Sequence, residues 1–321
     1  MGFIALTAGT KPWSHNQAVA VMVAAALMWS IAGVVSRWLE SARGFEVTFW
    51  RSTFNALALI ALLCWLRGPR QLWSSLRNGG RALWLSGACW CVMFTAFMMA
   101  LTLTTVANVL ITMALAPLFT ALGARLVLRH QLPLRTWLAI VTAGCGIAWM
   151  YGSELTGGEA RHIWGVVVAL AVPLAAATNW TLLQHQTAQM TGPQSAGRDA
   201  GTDMLSAVLL GAVLSALVTL PLALPMQASA RDVSWLALLG VVQLAIPCLL
   251  AVTAARTLKA PEAALLSLLE VLFGVAWAWL GAGEKPGAAA LAGGALVLFA
   301  LAVNELLALR QRAQPVQAVD A

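Results

Sequence analysis

Two ionisable residues of this chain lie inside long apolar runs, where a charge can do chemistry. Glu270 lies near the middle of the run 261–282, and Arg51 lies near the start of the run 45–66. If such runs cross a bilayer, a central charge costs about 2.5 to 3.5 kcal/mol and needs a partner, water or a change of protonation. Glu270 is a candidate to bind a proton or a substrate amine, or else a hydrogen-bonded residue that locks helix packing. Arg51 is a possible partner for a substrate's anionic group, unless it snorkels to the membrane surface or pairs with Glu46.

Polar and aromatic residues deep in other apolar runs form a second group of candidates. Amides can hydrogen-bond a polar cargo, and aromatic rings can line a pocket for a flat or amphipathic one. The same side chains can instead join or pack neighbouring helices. The group consists of Trp29, Trp90, Phe94, Asn179 and Gln243. Together with Glu270, these residues define a candidate substrate-binding cavity.

Motifs for catalysis, nucleotide binding and metal binding are missing from the sequence. The four histidines are scattered, and there is no Gly-rich phosphate loop ending in Gly-Lys, no Gly-x-Ser-x-Gly and no His-Glu-x-x-His. All five cysteines lie inside apolar runs, and a helix would point Cys89 and Cys91 in nearly opposite directions. We therefore expect no catalytic residue, no metal site and no cofactor.

The composition indicates an integral membrane protein. Apolar residues make up 60% of the 321 and charged residues only 10%, against about 25% charged in soluble domains. These values exclude both a soluble fold and a disordered chain. The net charge of +7 comes from basic residues that lie singly or in small groups between apolar runs. This pattern favours membrane topology over nucleic acid, so the expected environment is a lipid bilayer.

Ten apolar runs are long enough to cross about 30 Å of hydrocarbon. The stretch 82–128 is too long for one crossing and is expected to break at the β-branched cluster 102–105. The stretch 233–282 is expected to break at 256–261, where two charges precede a proline. The ten runs are 18–37, 45–66, 82–101, 105–128, 135–151, 163–186, 204–223, 233–255, 261–282 and 288–309.

The distribution of Lys and Arg predicts that both termini are cytoplasmic. With the N-terminus inside, 13 of these 19 residues fall on the cytoplasmic side, five fall on the other side, and Arg51 lies within a span. The predicted organisation is a cytoplasmic tail 1–17, a five-helix unit 18–151, a second five-helix unit 163–309 and a cytoplasmic tail 310–321. We expect a bacterial-type plasma membrane.

The two units share spaced motifs that indicate a duplication. Trp29-Ser30 in the first span is followed 151 positions later by Trp180-Thr181 in the sixth. Ala116–Phe119 in the fourth span is followed 154 positions later by Glu270–Phe273 in the ninth. A unit with five helices makes its second copy enter the membrane from the opposite side. The sequence therefore predicts an inverted repeat, as in many secondary transporters.

The same motifs resemble those of a known family. Leu268–Phe273 followed by Trp279–Pro286 is similar to the end of the second EamA domain in the drug/metabolite transporter superfamily. Ala116–Phe119 followed by Arg129–Pro133 is similar to the end of the first. The resemblance covers residues 18–309 and implies an all-α membrane protein with ten helices in two inverted five-helix repeats. One departure is that His130 stands where the first repeat often carries Glu, whereas Glu284 retains the acid in the second.

We expect this chain to be a secondary active transporter that works by alternating access around a midplane cavity. Its partner would be a small-molecule substrate such as an amino acid, with Glu270 as the candidate coupling group for protons. Export is implied by the resemblance alone. The alternatives are a non-transporting membrane scaffold or partner subunit and an integral membrane enzyme.

Overall fold

The computed structural model is helical, with no β-strand among the residues that it describes. The described residues are 13–127, 131–155, 160–189, 200–254, 257–258, 263 and 266–313. His130 and most of the predicted break at 256–261 lie outside them. The described helices of the first half are α1 (His15–Ser30), α2 (Ala32–Arg37), α3 (Phe45–Arg67), α4 (Pro69–Asn78), α5 (Gly80–Leu103), α6 (Val106–Met113), α7 (Ala116–Val127) and α8 (Leu134–Leu155).

The second half continues with helices of similar length. They are α9 (Ala160–Gln189), α10 (Ala200–Thr219), α11 (Ala230–Leu238), a π-helical segment (Leu239–Ala245), α12 (Ile246–Ala254), α13 (Leu269–Ala282) and α14 (Ala288–Ala313). Within the described residues, seven helical stretches are long and apolar enough to cross a membrane, and three apolar helices are shorter. The shorter ones are Leu134–Trp149, Met204–Thr219 and Leu269–Ala282. The expectation of an all-helical membrane protein is confirmed.

The break predicted at 102–105 is also confirmed. Helix α5 ends at Leu103, and Thr104 adopts an extended conformation with φ −141° and ψ −173°. Thr105 then begins α6 as its N-cap, because its hydroxyl accepts a hydrogen bond from the backbone N–H of Asn108 at 3.3 Å. Two consecutive threonines therefore end one helix and start the next.

Two changes in the helical hydrogen-bonding pattern directly precede a proline. A turn at Ala114 and Leu115 separates α6 from α7, which has Pro117 in its first turn. The π-helical segment precedes α12, which has Pro247 in its first turn. Proline lacks the N–H that a helix interior requires. Pro117 lies in a first turn, where that group has no intrahelical partner, whereas Pro247 follows the π-helical segment within the continuous stretch Ala230–Ala254. Pro173, by contrast, lies inside the continuous helix α9.

Helices from the two halves of the chain pack directly on each other. Helix α3 packs on α10, α6 on α13, and α8 on α14. Helix α5 also packs on α9 and α10, and α1 packs on α12 and α13. The largest apolar cluster draws its buried residues from both halves, so neither half has a separate core.

Two buried carboxylates fasten loops across the two halves. Asp232, in the first turn of α11, accepts hydrogen bonds from the backbone N–H groups of Glu40, Ser41 and Ala42 at 2.8 to 2.9 Å. Glu46, in the first turn of α3, accepts from the backbone N–H groups before α11, those of residues 227 and 228, at 2.8 to 3.0 Å. Each acid holds the loop that leads to the other acid's helix, so α3 and α11 are fixed together at this end.

The α8–α14 contact depends on a glycine, which gives a first test of the fold. A Cβ at Gly146 would lie 2.7 Å from the carbonyl oxygen of Gly293 and 2.9 Å from a methyl group of Val297. Gly146→Val is expected to lower the free energy of unfolding by about 1 to 3 kcal/mol through overpacking. Gly144→Val is the matched control on the same helix, because nothing lies within 4 Å of its Cβ position. Thermal unfolding in detergent compares the two, and equal midpoints would contradict this packing.

Candidate functional site

One face of α3 carries a stripe of buried polar residues. Thr48, Arg51, Ser52 and Asn55 are each at most 2% exposed. Their spacing of three and four residues places them on the same side of the helix. The Ser52 hydroxyl lies 2.9 Å from that of Ser215, so this side faces α10. A polar stripe inside a membrane bundle costs free energy unless it is satisfied internally, which makes it a candidate site.

Arg51 is the centre of this stripe. Its Nε and Nη2 both donate to Oε1 of Gln243, at 3.2 and 2.9 Å. Its guanidinium carbon lies 5.5 Å from the centroid of the Phe97 ring, a cation–π arrangement. Nη1 has no hydrogen-bonding partner among the described residues, and neither side-chain polar atom of Asn55 has one. The stripe therefore holds unused donors beside a buried positive charge.

The π-helical segment brings Gln243 to Arg51. A Cβ at Gly240 would lie 2.7 Å from the Arg51 carbonyl oxygen and 2.8 Å from the Asn55 backbone nitrogen. Glycine thus allows the backbones of α3 and the π-helical segment to touch. Gln243 also donates through Nε2 to the carbonyl oxygen of Trp29 at 3.1 Å. Arg51, Gln243 and Trp29 consequently form one hydrogen-bonded chain from α3 to α1, and π-helical turns are frequent at functional sites.

Glu270 lies beside this chain of hydrogen bonds. It is partly buried in the first turn of α13, directly after the non-helical Leu268. It lies close enough to Arg51 and Cys248 to interact with both electrostatically. Its carboxylate also lies at a helix N-terminus, where the helix dipole favours negative charge. The cluster therefore contains a guanidinium group, that of Arg51, and a carboxyl group, that of Glu270, which attract each other when both are charged.

The aromatic candidates border the same region. Phe94 is buried in an apolar cluster with Leu244 and Cys248, and Trp29 and Trp90 pack against that cluster. The rings of Trp90 and Phe94 lie 5.5 Å apart and are tilted by 37°. Five of the six cavity candidates therefore surround one region, and Arg51 lies beside it.

Asn179 is the exception among the cavity candidates. It is 1% exposed, and its Oδ1 accepts a hydrogen bond from the Ser86 hydroxyl at 2.6 Å. This bond joins α9 to α5. The predicted alternative that Arg51 pairs with Glu46 is wrong. Glu46 accepts hydrogen bonds from backbone N–H groups, whereas Arg51 donates to Gln243.

Sequence reasoning missed the partners that complete the stripe. Thr48, Ser52 and Asn55 share the helical spacing of Arg51, and this periodicity was the signal that could have found them. Ser215 and Ser86 had no such signal, because serines are common in apolar helices. Their roles depend on which helices are neighbours.

The fold and site define an integral membrane protein built from apolar helices around a buried charged cluster. A family model described as the EamA-like transporter family matches residues 16–152 and 163–305. The chain belongs to this family, within the drug/metabolite transporter superfamily, and the resemblance inferred from its motifs is confirmed. No curated protein matches the chain significantly.

A solved structure described as "Crystal structure of protein" supports the fold. It is similar to this chain with a TM-score of 0.61 at 18% sequence identity. The similarity covers 92% of this chain and 100% of that one. At this level of identity the likeness concerns the fold alone.

Proposed function

We propose that this protein is a secondary active transporter that exports small metabolites, such as amino acids, by alternating access around a midplane cavity. The observation that carries the proposal is the buried chain Arg51–Gln243–Trp29 with Glu270 within electrostatic reach. The Arg51 guanidinium can bind the carboxylate of a zwitterion, and the Glu270 carboxylate can bind its ammonium group. Glu270 is the proposed coupling group, and Trp29, Trp90, Phe94 and Gln243 are the proposed wall residues.

The proposed architecture is ten membrane helices in two inverted five-helix repeats. Its first support is the position of helix breaks: the turn at 114–115 before α7 and Leu268 before α13 are separated by the 154-residue offset of the sequence motifs. A second support is the packing. The α1–α12 contact corresponds to α9–α5 when the halves are exchanged, and the contact of α3 with the π-helical segment corresponds to α10–α5.

The proposed location is a bacterial-type plasma membrane with both termini in the cytoplasm. The support is the excess of Lys and Arg in the loops assigned to the cytoplasmic side. In this orientation the loop 38–44 and the residues before α11 lie outside.

Transport in proteoliposomes tests the function. Purified protein is reconstituted in vesicles loaded with a mixture of amino acids and other metabolites, with and without a pH gradient. Glu270→Gln is expected to abolish gradient-driven accumulation but to retain passive exchange, because the amide cannot exchange a proton. Glu40→Gln is the matched control, since that carboxylate is exposed.

Two outcomes would contradict the proposal. Unchanged accumulation by Glu270→Gln would assign that residue a structural role. Wild-type protein that transports no cargo would favour the scaffold or partner-subunit alternative.

A further inference from the structure

Arg37 and Glu284 form an ion pair that joins three chain segments at one end of the bundle. Arg37 Nε lies 2.8 Å from Glu284 Oε2. The other guanidinium nitrogens donate to the carbonyl oxygens of Leu101 at 2.7 Å and Thr104 at 2.9 Å. The second oxygen of Glu284 accepts from the backbone N–H of Val106 at 2.6 Å. The pair thus binds both ends of the α5–α6 turn to the end of α2 and to the segment after α13.

These contacts satisfy backbone groups at the end of α5 and the start of α6. The last carbonyl groups of α5 and the first N–H group of α6 are groups that a helix leaves without intrahelical bonds. Arg37 and Glu284 supply them with charge-assisted hydrogen bonds, which are stronger than neutral ones. Beside the pair, the Trp38 indole donates to the Gly281 carbonyl oxygen at 2.9 Å, a further tie between α2 and α13.

This pair is far more accessible to water than the carboxylates that fasten the neighbouring loops. The side chains of Arg37 and Glu284 are 30% and 18% exposed, whereas Asp232 is fully buried. Water can replace the partners of the pair when it separates, but it cannot reach Asp232 while the loops remain in place. Asp232 therefore suits a permanent fastening, and the Arg37–Glu284 pair suits a contact that opens and closes.

The sequence does not repeat the pair at the corresponding positions of the other half. With the 154-residue offset, Glu284 corresponds to His130, and Arg37 corresponds to positions 188–191, which contain no charged residue. The acid of α11 also lacks a counterpart, since the first turn of α5 contains none. The repeat-related positions therefore do not reproduce the Arg37–Glu284 pair.

We infer that the Arg37–Glu284 pair is a latch that holds the outer end of the transport pathway closed. The inference rests on the proposed function for the orientation and for alternating access. Opening the outer end separates α2 and the α13–α14 segment from the α5–α6 turn and breaks the charge-assisted bonds. The latch therefore biases the resting carrier towards the state that is closed outside, which suits a protein that loads its cargo from the cytoplasm.

Hydrogen–deuterium exchange of the full chain in lipid nanodiscs, without any cargo, tests the latch. Glu284→Gln and Arg37→Gln are each expected to raise backbone exchange over residues 101–110 by about tenfold or more, as the loss of a charge-assisted contact implies. Because outward opening requires inward closure, exchange over residues 116–127 at the inner end is expected to fall in the same samples. Arg231→Gln is the matched control, because it breaks an exposed ion pair with Glu40 at the same end but outside the latch.

The two segments separate a latch from a merely local contact. A rise over 101–110 without a fall over 116–127 would assign the pair a local structural role, and no rise in either variant would show that it does not hold this end closed. If one variant fails to fold, the other decides. The exchange measurement does not require transport. A wild-type protein that transports no cargo would therefore overturn the proposed function, whereas only the exchange data decide whether the latch exists.

Discussion

Asp232→Ala is expected to lower the free energy of unfolding by about 3 to 5 kcal/mol, because it removes the shared acceptor of three backbone donors, of which one is buried and two are partly buried. The Asp232 carboxylate accepts from three consecutive backbone N–H groups of the loop 40–42 at 2.8 to 2.9 Å. Water can replace it only in part, since Asp232 and Ala42 are both buried. Equilibrium unfolding in mixed detergent and SDS micelles measures the change.

Two further variants calibrate this expectation. Asp232→Asn retains one acceptor oxygen and is expected to be intermediate. Glu40→Gln removes a carboxylate from the same loop, but its ion pair with Arg231 is exposed and worth at most about 1 kcal/mol. Equal stability of Asp232→Ala and Glu40→Gln would mean that the loop does not depend on the buried acid.

Arg51→Met is expected to reduce transport of carboxylate-bearing cargo by about 10-fold to 100-fold, the loss that corresponds to a missing charged hydrogen bond. The substitution is also expected to destabilise the fold, because it removes one member of a buried pair of opposite charges and leaves Glu270 without that partner. Gln243 would lose its two contacts with the guanidinium but keep its bond to the Trp29 carbonyl. Initial rates in proteoliposomes, normalised to folded protein, measure the effect.

Two neighbouring substitutions identify which property of Arg51 matters. Arg51→Lys keeps the charge but loses the planar fork, so it is expected to retain only part of the activity. Phe97→Leu removes the ring below the guanidinium and leaves the hydrogen bonds with Gln243 intact. A large loss of stability in Arg51→Met with unchanged transport per folded molecule would assign Arg51 to helix packing.

The arrangement of charge in this protein explains why its strongest predicted effects lie at polar residues. Apolar packing is shared among many side chains, and the neighbours of a changed residue can partly adjust to it. Each buried charge, by contrast, depends on a few partners. Arg51 depends on Gln243, and Asp232 depends on one loop. When such a partner is lost, no neighbouring side chain replaces it.

The sequence by itself determined that the helices of this protein lie in a membrane, and it determined much of the helical pattern. The apolar content and run lengths required membrane helices, and the Thr104-Thr105 pair was enough to end one helix and begin another. Glu270 and Arg51 were identifiable because a charge in an apolar run is costly wherever its neighbours lie. These signals are local, so they do not depend on how the helices pack.

Only the tertiary structure decided which polar groups are partners. Arg51 and Gln243 are 192 residues apart in sequence, and Arg37 and Glu284 are 247 apart. Asn179 and Gln243 are both amide residues within apolar runs, yet Asn179 binds Ser86 on α5. A hydrogen bond requires contact within about 3 Å, and helix packing alone determines which distant residues come that close. The sequence therefore predicted the presence of buried charges, and the packing of the two halves determined what each one binds.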